Sequence, residues 1–149
     1  MAETLGSLCD KLTIIKLKQY HSENEVRLKS LATQEKDICN EINDFISGAL
    51  SGSIPLEKLT FSANKVYKRE GNETAEITGN IGEVFAALAK ANCAVWHEQE
   101  KLYEFEKVPN EEKNKMMKQL AVLNLYRNKC IDTIDKKLQQ LIALRKKKK

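Results

Sequence analysis

An acid, an imidazole and a guanidinium interrupt helical stripes that should be apolar. One three-four spacing runs Ile14, Leu17, His21, Asn24, Leu28, Leu31, Glu35, Ile38, Ile42, Phe45, and extends back through Asp10 and Ser7 to Glu3. A second runs Met117, Leu120, Asn124, Arg127, Ile131, Ile134, Leu138, Leu141, Arg145. Apolar residues at this spacing mark the side of a helix that packs on a partner. Asp10, His21, Asn24, Asn124 and Arg127 break these stripes. Burying such groups costs free energy unless they meet one another, water or a ligand. Arg127 in a seam requires an anion. Asp10 is one candidate and a bound phosphate or carboxylate is the other, because a guanidinium fork suits both.

The remaining chemistry-bearing side chains fall near these stripes. Lys18 and Lys11 neighbour the Asp10–His21 face, and Asn128 adjoins Arg127. Asp10 and His21 are eleven residues apart, about 16 Å along a helix axis, so they cannot touch. In Trp96-His97-Glu98-Gln99-Glu100 the imidazole of His97 shares a face with Glu100 and Glu104. That trio could hold a divalent cation or could simply be a solvated face, and no metal is assigned to it. The expected ligand site is therefore Asp10, Lys18, His21, His97, Glu100, Asn124, Arg127 and Asn128, of which Asp10, His21, His97, Asn124 and Arg127 should converge on one water-containing pocket between the first helix and the last two long ones.

Motifs for established catalytic chemistry are missing. There is no Gly-rich phosphate loop, no Gly-x-Ser-x-Gly, no His-Glu-x-x-His and no dinucleotide fingerprint. Glu41-x-x-Asp44 and Glu73-x-x-Glu76 have the spacing with which helical pyrophosphohydrolases hold Mg²⁺, but both pairs fall near expected helix ends. No cofactor follows from these residues, and an enzymatic role stays open.

The elements that position the site are helices. With 42% apolar and 31% charged residues, 6 Gly and 2 Pro, the 149-residue chain reads as one all-α domain. Three segments carry helical periodicity: about Glu3 to Ser47, about Glu73 or Glu76 to Val108, and Asn110 to about Leu144, with Asn110 as N-cap. Gly48, Ser51, Gly52 and Pro55 end the first, and Pro109-Asn110 separates the other two. Between them, residues 54–78 suggest a short helix after Pro55, an extended stretch at 59–62, and a turn at Gly71-Asn72. An antiparallel bundle of three long helices plus a shorter element is expected. Leu12, Ile15, Leu28, Ile38, Ile81, Leu88, Leu120, Ile131 and Ile134 should form its core.

Arg145 to Lys149 is a basic tail that should fray. The formal charge is +4, and without the tail's five cations it is −1. Nucleic acid is therefore not the expected partner; a small anion, a protein partner or a second copy of the chain is. Cys9, Cys39, Cys93 and Cys130 are scattered, with no Cys-x-x-Cys pair, which fits free thiols in a reducing cytoplasm. No run approaches the roughly 18 apolar residues of a membrane span, and the first residues lack the pattern of a signal peptide.

Leu5-Gly6-Ser7-Leu8-Cys9-Asp10-Lys11-Leu12-Thr13-Ile14, with Lys18 and His21, resembles the start of a family of small bacterial all-helical proteins of uncharacterised activity. Trp96-His97-x-x-Glu100 and Asn124-x-x-Arg127-Asn128-x-x-Ile131-Asp132 resemble its second half. Cys9 and Tyr20 depart from its pattern. Such proteins are often encoded beside sugar-nucleotide or lipopolysaccharide genes. The resemblance implies a helical fold and a link to cell-surface polysaccharide metabolism, and it implies Glu3, Asp10, Lys11, Lys18, His21, His97, Glu100, Asn124, Arg127 and Asn128 as its polar positions. The alternatives are an enzyme acting on a phosphorylated sugar or nucleotide, and a structural oligomerising or nucleic-acid-binding accessory protein.

Overall fold

A computed structural model describes residues 3–61 and 77–148. Four α-helices carry the fold: α1 Leu5–Tyr20, α2 Glu25–Ser51, α3 Ile81–Leu102 and α4 Asn110–Lys147, with single 3-10 turns at Leu56–Lys58 and Phe105–Lys107. No strand occurs among the described residues. The architecture is the expected all-α bundle.

The first expected helix is two. Thr4 begins α1 in a capping box with Ser7: the Thr4 hydroxyl accepts from the Ser7 N–H, and the Ser7 hydroxyl accepts from the Thr4 N–H. The helix stops at Tyr20, and Asn24 starts the next by accepting the Arg27 N–H at 2.9 Å. No Gly or Pro marks this break. The physical reason lies in the stripe itself: His21 to Glu25 holds five consecutive polar residues, so continuing straight would bury nothing there. Folding back instead sets α2 along α1. Lys16 and Gln19 then reach Glu35 of α2 at 3.0 and 2.8 Å.

Gly52, at φ 86°, ends α2 in the left-handed conformation that L side chains resist. The 3-10 turn follows Pro55, and its carbonyl at Leu56 accepts from Gln139 of α4 at 2.9 Å. At 59–61 no strand forms, and Leu59 has helical rather than extended backbone angles. Ser62, the Gly71-Asn72 turn, Val66, Tyr67 and the Glu73–Glu76 pair lie outside the described residues.

Helix α3 begins later than its periodicity suggests. Gly79 has φ 100°, a conformation outside the α-helix, and Glu83 accepts the Asn80 N–H at 3.1 Å to start the helix at Ile81. It ends at Leu102, before the second 3-10 turn. Asn110 is the first residue of α4 rather than its cap, with Pro109 before it and Glu111 and Glu112 in the first turn, where carboxylates favour the positive helix end. The basic tail is helical to Lys147 instead of frayed. Cations at a helix C-terminus meet its negative pole, which supports those last turns.

Helix α1 is the central element, packed on α2, α3 and α4, while α3 packs on α4. It runs antiparallel to α4, with Gly6 opposite Ile131 and Asp135, and Asp10 opposite Arg127. One core joins Leu5, Leu8, Phe45, Ala49, Leu59, Val84, Leu88, Cys130, Ile134, Leu138 and Ile142. Of the expected core residues Ile15, Leu88 and Ile134 are buried, whereas Leu12, Leu28, Ile38, Ile81, Leu120 and Ile131 are half-buried, with Ile38, Ile81 and Ile131 packed against this core.

Candidate functional site

The seam between α1, α3 and α4 is occupied by a connected polar network. Arg127 donates from Nε to Asp10 Oδ1 at 2.8 Å and from Nη2 to Asp10 Oδ2 at 2.5 Å, a two-pronged ion pair. Asn92 of α3 donates to Asp10 Oδ1 at 2.9 Å and to Thr13 Oγ1 at 2.6 Å. The Thr13 hydroxyl in turn donates to the Asp10 carbonyl at 2.8 Å. Asp10 and Asn92 are both buried. The ion pair with Arg127 offsets the cost of removing Asp10 from water, and the two hydrogen bonds that Asn92 donates offset its own. The carboxylate also raises the Arg127 pKa further, against the opposing effect of burial, so the guanidinium stays charged.

A second buried carboxylate lies farther along α4. Asp135 Oδ1 accepts the Gly6 N–H at 2.7 Å, and the Thr4 hydroxyl also bonds to its carboxylate. Burial pushes its pKa up to about 6, outweighing these two bonds, which pull it down. Beside it, the Cys9 thiol is pushed up to about 12, first by burial and then by Asp135 and Asp10. Burial at 5% exposure and the two nearby carboxylates both disfavour the thiolate on which nucleophilic attack depends. Cys130 is raised as well, again by burial first.

The expected convergence of site residues on one pocket is only partial. Asp10 and Arg127 meet. Asn124 and Asn128 are half-buried on the same helix, one turn before and one position after Arg127. Lys18 lies elsewhere: with Lys11, Ile14, Ile15, Gln34, Asp37 and Ile38 it lines a groove of about 350 Å³ between α1 and α2. His21 is exposed at the end of α1, its ring stacked on Trp96 at 4.9 Å between centroids and 11° between planes. Three helical turns separate it from Asp10, as the axial rise requires. His97 is also exposed, 3.9 Å from a Glu100 oxygen, because Asn92 and Val95 take the inward positions of α3. Glu100 accepts the Trp96 indole N–H at 2.8 Å, and Glu104 pairs with Lys107. No group of three metal-ligating side chains occurs among the described residues.

Asn92 and Asp135 are the residues that sequence reasoning missed as partners of the seam. Both carried a signal. Asn92 is the one polar residue in the inward series Leu88, Ala91, Asn92, Val95, and Asp135 adjoins Ile134 in the core stripe of α4.

Compared with known proteins, the chain matches no family model, no curated protein and no solved structure. The class that the geometry itself defines is an all-α bundle with a satisfied polar seam and an aromatic end.

Proposed function

We propose that the chain is a helical binding protein that recognises a protein partner at the aromatic end of the bundle, with the polar seam as the framework holding that end in place. One observation carries this reading. The His21–Trp96 stack joins the end of α1 to α3 and leaves Tyr20 86% exposed beside it, while Tyr103, two turns after Trp96 at the end of α3, is 89% exposed. Tyr20 packs edge-on against His21 at 5.2 Å, and Tyr103 follows Trp96 and Glu100 at helical spacing. Aromatic side chains that combine apolar area with a polar tip are enriched in protein interfaces. The four free cysteines, two of them buried, support placing the protein in the reducing cytoplasm.

The test is site-specific photo-crosslinking in cells. A photoreactive residue at Tyr20 or Tyr103 should give a discrete protein adduct, while one at the exposed Thr33 of α2 should give none. Equal labelling at all three positions, or none at any, overturns the reading. An adduct of twice the chain's mass would identify the partner as a second copy.

Binding of a small anion in the seam, with an enzymatic extension to phosphorylated sugars or nucleotides, is the second reading. It is favoured by the Arg127 side chain, which is 26% exposed and therefore within reach of a solute. Such an anion would take the place of Asp10 on the guanidinium. Calorimetric titration with inorganic phosphate and a hexose phosphate tests it, and an absence of heat with both removes it. The connection to cell-surface polysaccharide metabolism belongs with this second reading and is supported by the family resemblance alone.

A further inference from the structure

Charge in this chain is strongly segregated. Residues 136–149 hold seven cations and no acid, so with +4 overall the other residues carry −3. The helix continues through this region to Lys147. Its last buried residue is Ile142, and beyond the core-facing stripe a different face turns outward. At three- and four-residue spacing that face contains Lys137, Leu141, Leu144 and Lys148, with Arg145 at its edge. Leu141 is 55% exposed and Leu144 56%. The α2 end and the 3-10 turn reach the same end of the bundle: Ala49 and Ile142 share the core, and Leu56 accepts from Gln139. These segments add Leu50 and Phe61 to the large exposed apolar side chains.

We infer that the C-terminal turns of α4 dock on an anionic lipid surface, with Leu141 and Leu144 entering the headgroup–acyl boundary and the surrounding lysines contacting acidic headgroups. The lysines alone have a simpler explanation, since cations suit a helix C-terminus. The leucines do not share it, because two adjacent exposed leucines contribute nothing to that pole. Apolar residues flanked by Lys and Arg are the pattern of a helix that lies in a membrane interface, where long basic side chains stretch along the apolar layer and keep their charge in water. Four to eight clustered cations are enough for attraction to acidic headgroups. A nucleic-acid backbone would use the cations but offers no apolar layer for the leucines. None of this requires a membrane span, and no described helix is long and apolar enough to form one.

Vesicle co-sedimentation of the full chain tests the inference. Phosphatidylcholine vesicles containing a third phosphatidylglycerol should pellet the protein, and pure phosphatidylcholine vesicles should not. Binding should weaken with added salt. Replacing both leucines (Leu141→Ser with Leu144→Ser) should reduce binding about tenfold or more at unchanged charge. Replacing three lysines (Lys146→Gln, Lys147→Gln and Lys148→Gln) should reduce it similarly. All five positions are exposed, and helical content by circular dichroism serves as the folding control for each variant. Failure to bind anionic vesicles at low salt overturns the inference. So does binding that survives the leucine changes, or tighter leucine-independent binding to duplex DNA or to RNA.

Discussion

The Asp135 carboxylate of α4 caps the N-terminus of α1 by accepting the Gly6 N–H at 2.7 Å. Capping groups usually come from the residue just before a helix. Here Thr4 fills that local role for Ser7, and a residue 129 positions away satisfies the next exposed donor. The two helices can come this close only because residue 6 has no side chain. A Cβ there would lie 2.3 Å from the Ile131 carbonyl oxygen and 2.9 Å from Asp135 Oδ1.

Gly6→Ala should therefore force α1 away from α4 and cost about 2–3 kcal/mol. The nearest obstacle is backbone, which cannot rotate aside. Urea unfolding measures the loss; an unchanged midpoint would mean that the helices do not meet as closely as the geometry requires.

Asp135 makes stability depend on pH. Its folded pKa, about 6, lies above the ordinary 3.8, chiefly through burial. The protonated form is thus favoured in the folded state. The contribution is complete below 3.8 and is lost as pH rises through about 6, an effect on the order of 2 kcal/mol. Asp135→Asn should flatten this part of the stability profile between pH 4 and pH 7. A wild-type profile that rises with pH across the same window, with the Asn variant parallel to it, would exclude Asp135 as its source.

Arg127→Met should leave Asp10 charged and buried with Asn92 as its remaining side-chain donor. We expect a loss of roughly 3 kcal/mol, toward the lower end for a broken buried pair because Arg127 is partly exposed. Asp10→Asn combined with Arg127→Met should recover part of that loss. Chemical denaturation of the two single variants and the double variant measures the coupling, and strictly additive changes would mean that the pair is energetically inert.

Leu59 is fully enclosed, at 0% exposure, although it lies just beyond a three-residue 3-10 turn. Leu59→Ala should destabilise by about 2–5 kcal/mol. A smaller change, below about 1 kcal/mol, would show that this segment is not part of the cooperative core.

The helical character of the chain was legible in its sequence because apolar periodicity and breaker residues are local. Gly52 stops α2 at the position its backbone chemistry dictates, and Pro109 stands just before the first residue of α4. Asp10 and Arg127 were visible as polar interruptions of apolar stripes, and the need to satisfy buried charge made each the natural partner of the other. The break at residues 21–24 was not legible, since no helix breaker marks it and Asn24 resembles one more polar position on the stripe.

Which side chains share a space was settled by packing between distant segments. Asp10 and Arg127 are 117 residues apart, and Asp10 and Asn92 are 82 apart. Their meeting depends on the axial offset and rotation of three separate helices. That same rotation turns His97 outward and carries His21 onto Trp96, away from the seam with which sequence spacing had grouped them. Periodicity specifies the face of a helix but not its partner or its height along that partner. Those are set by close packing between distant segments, including the approach of Gly6 to Ile131.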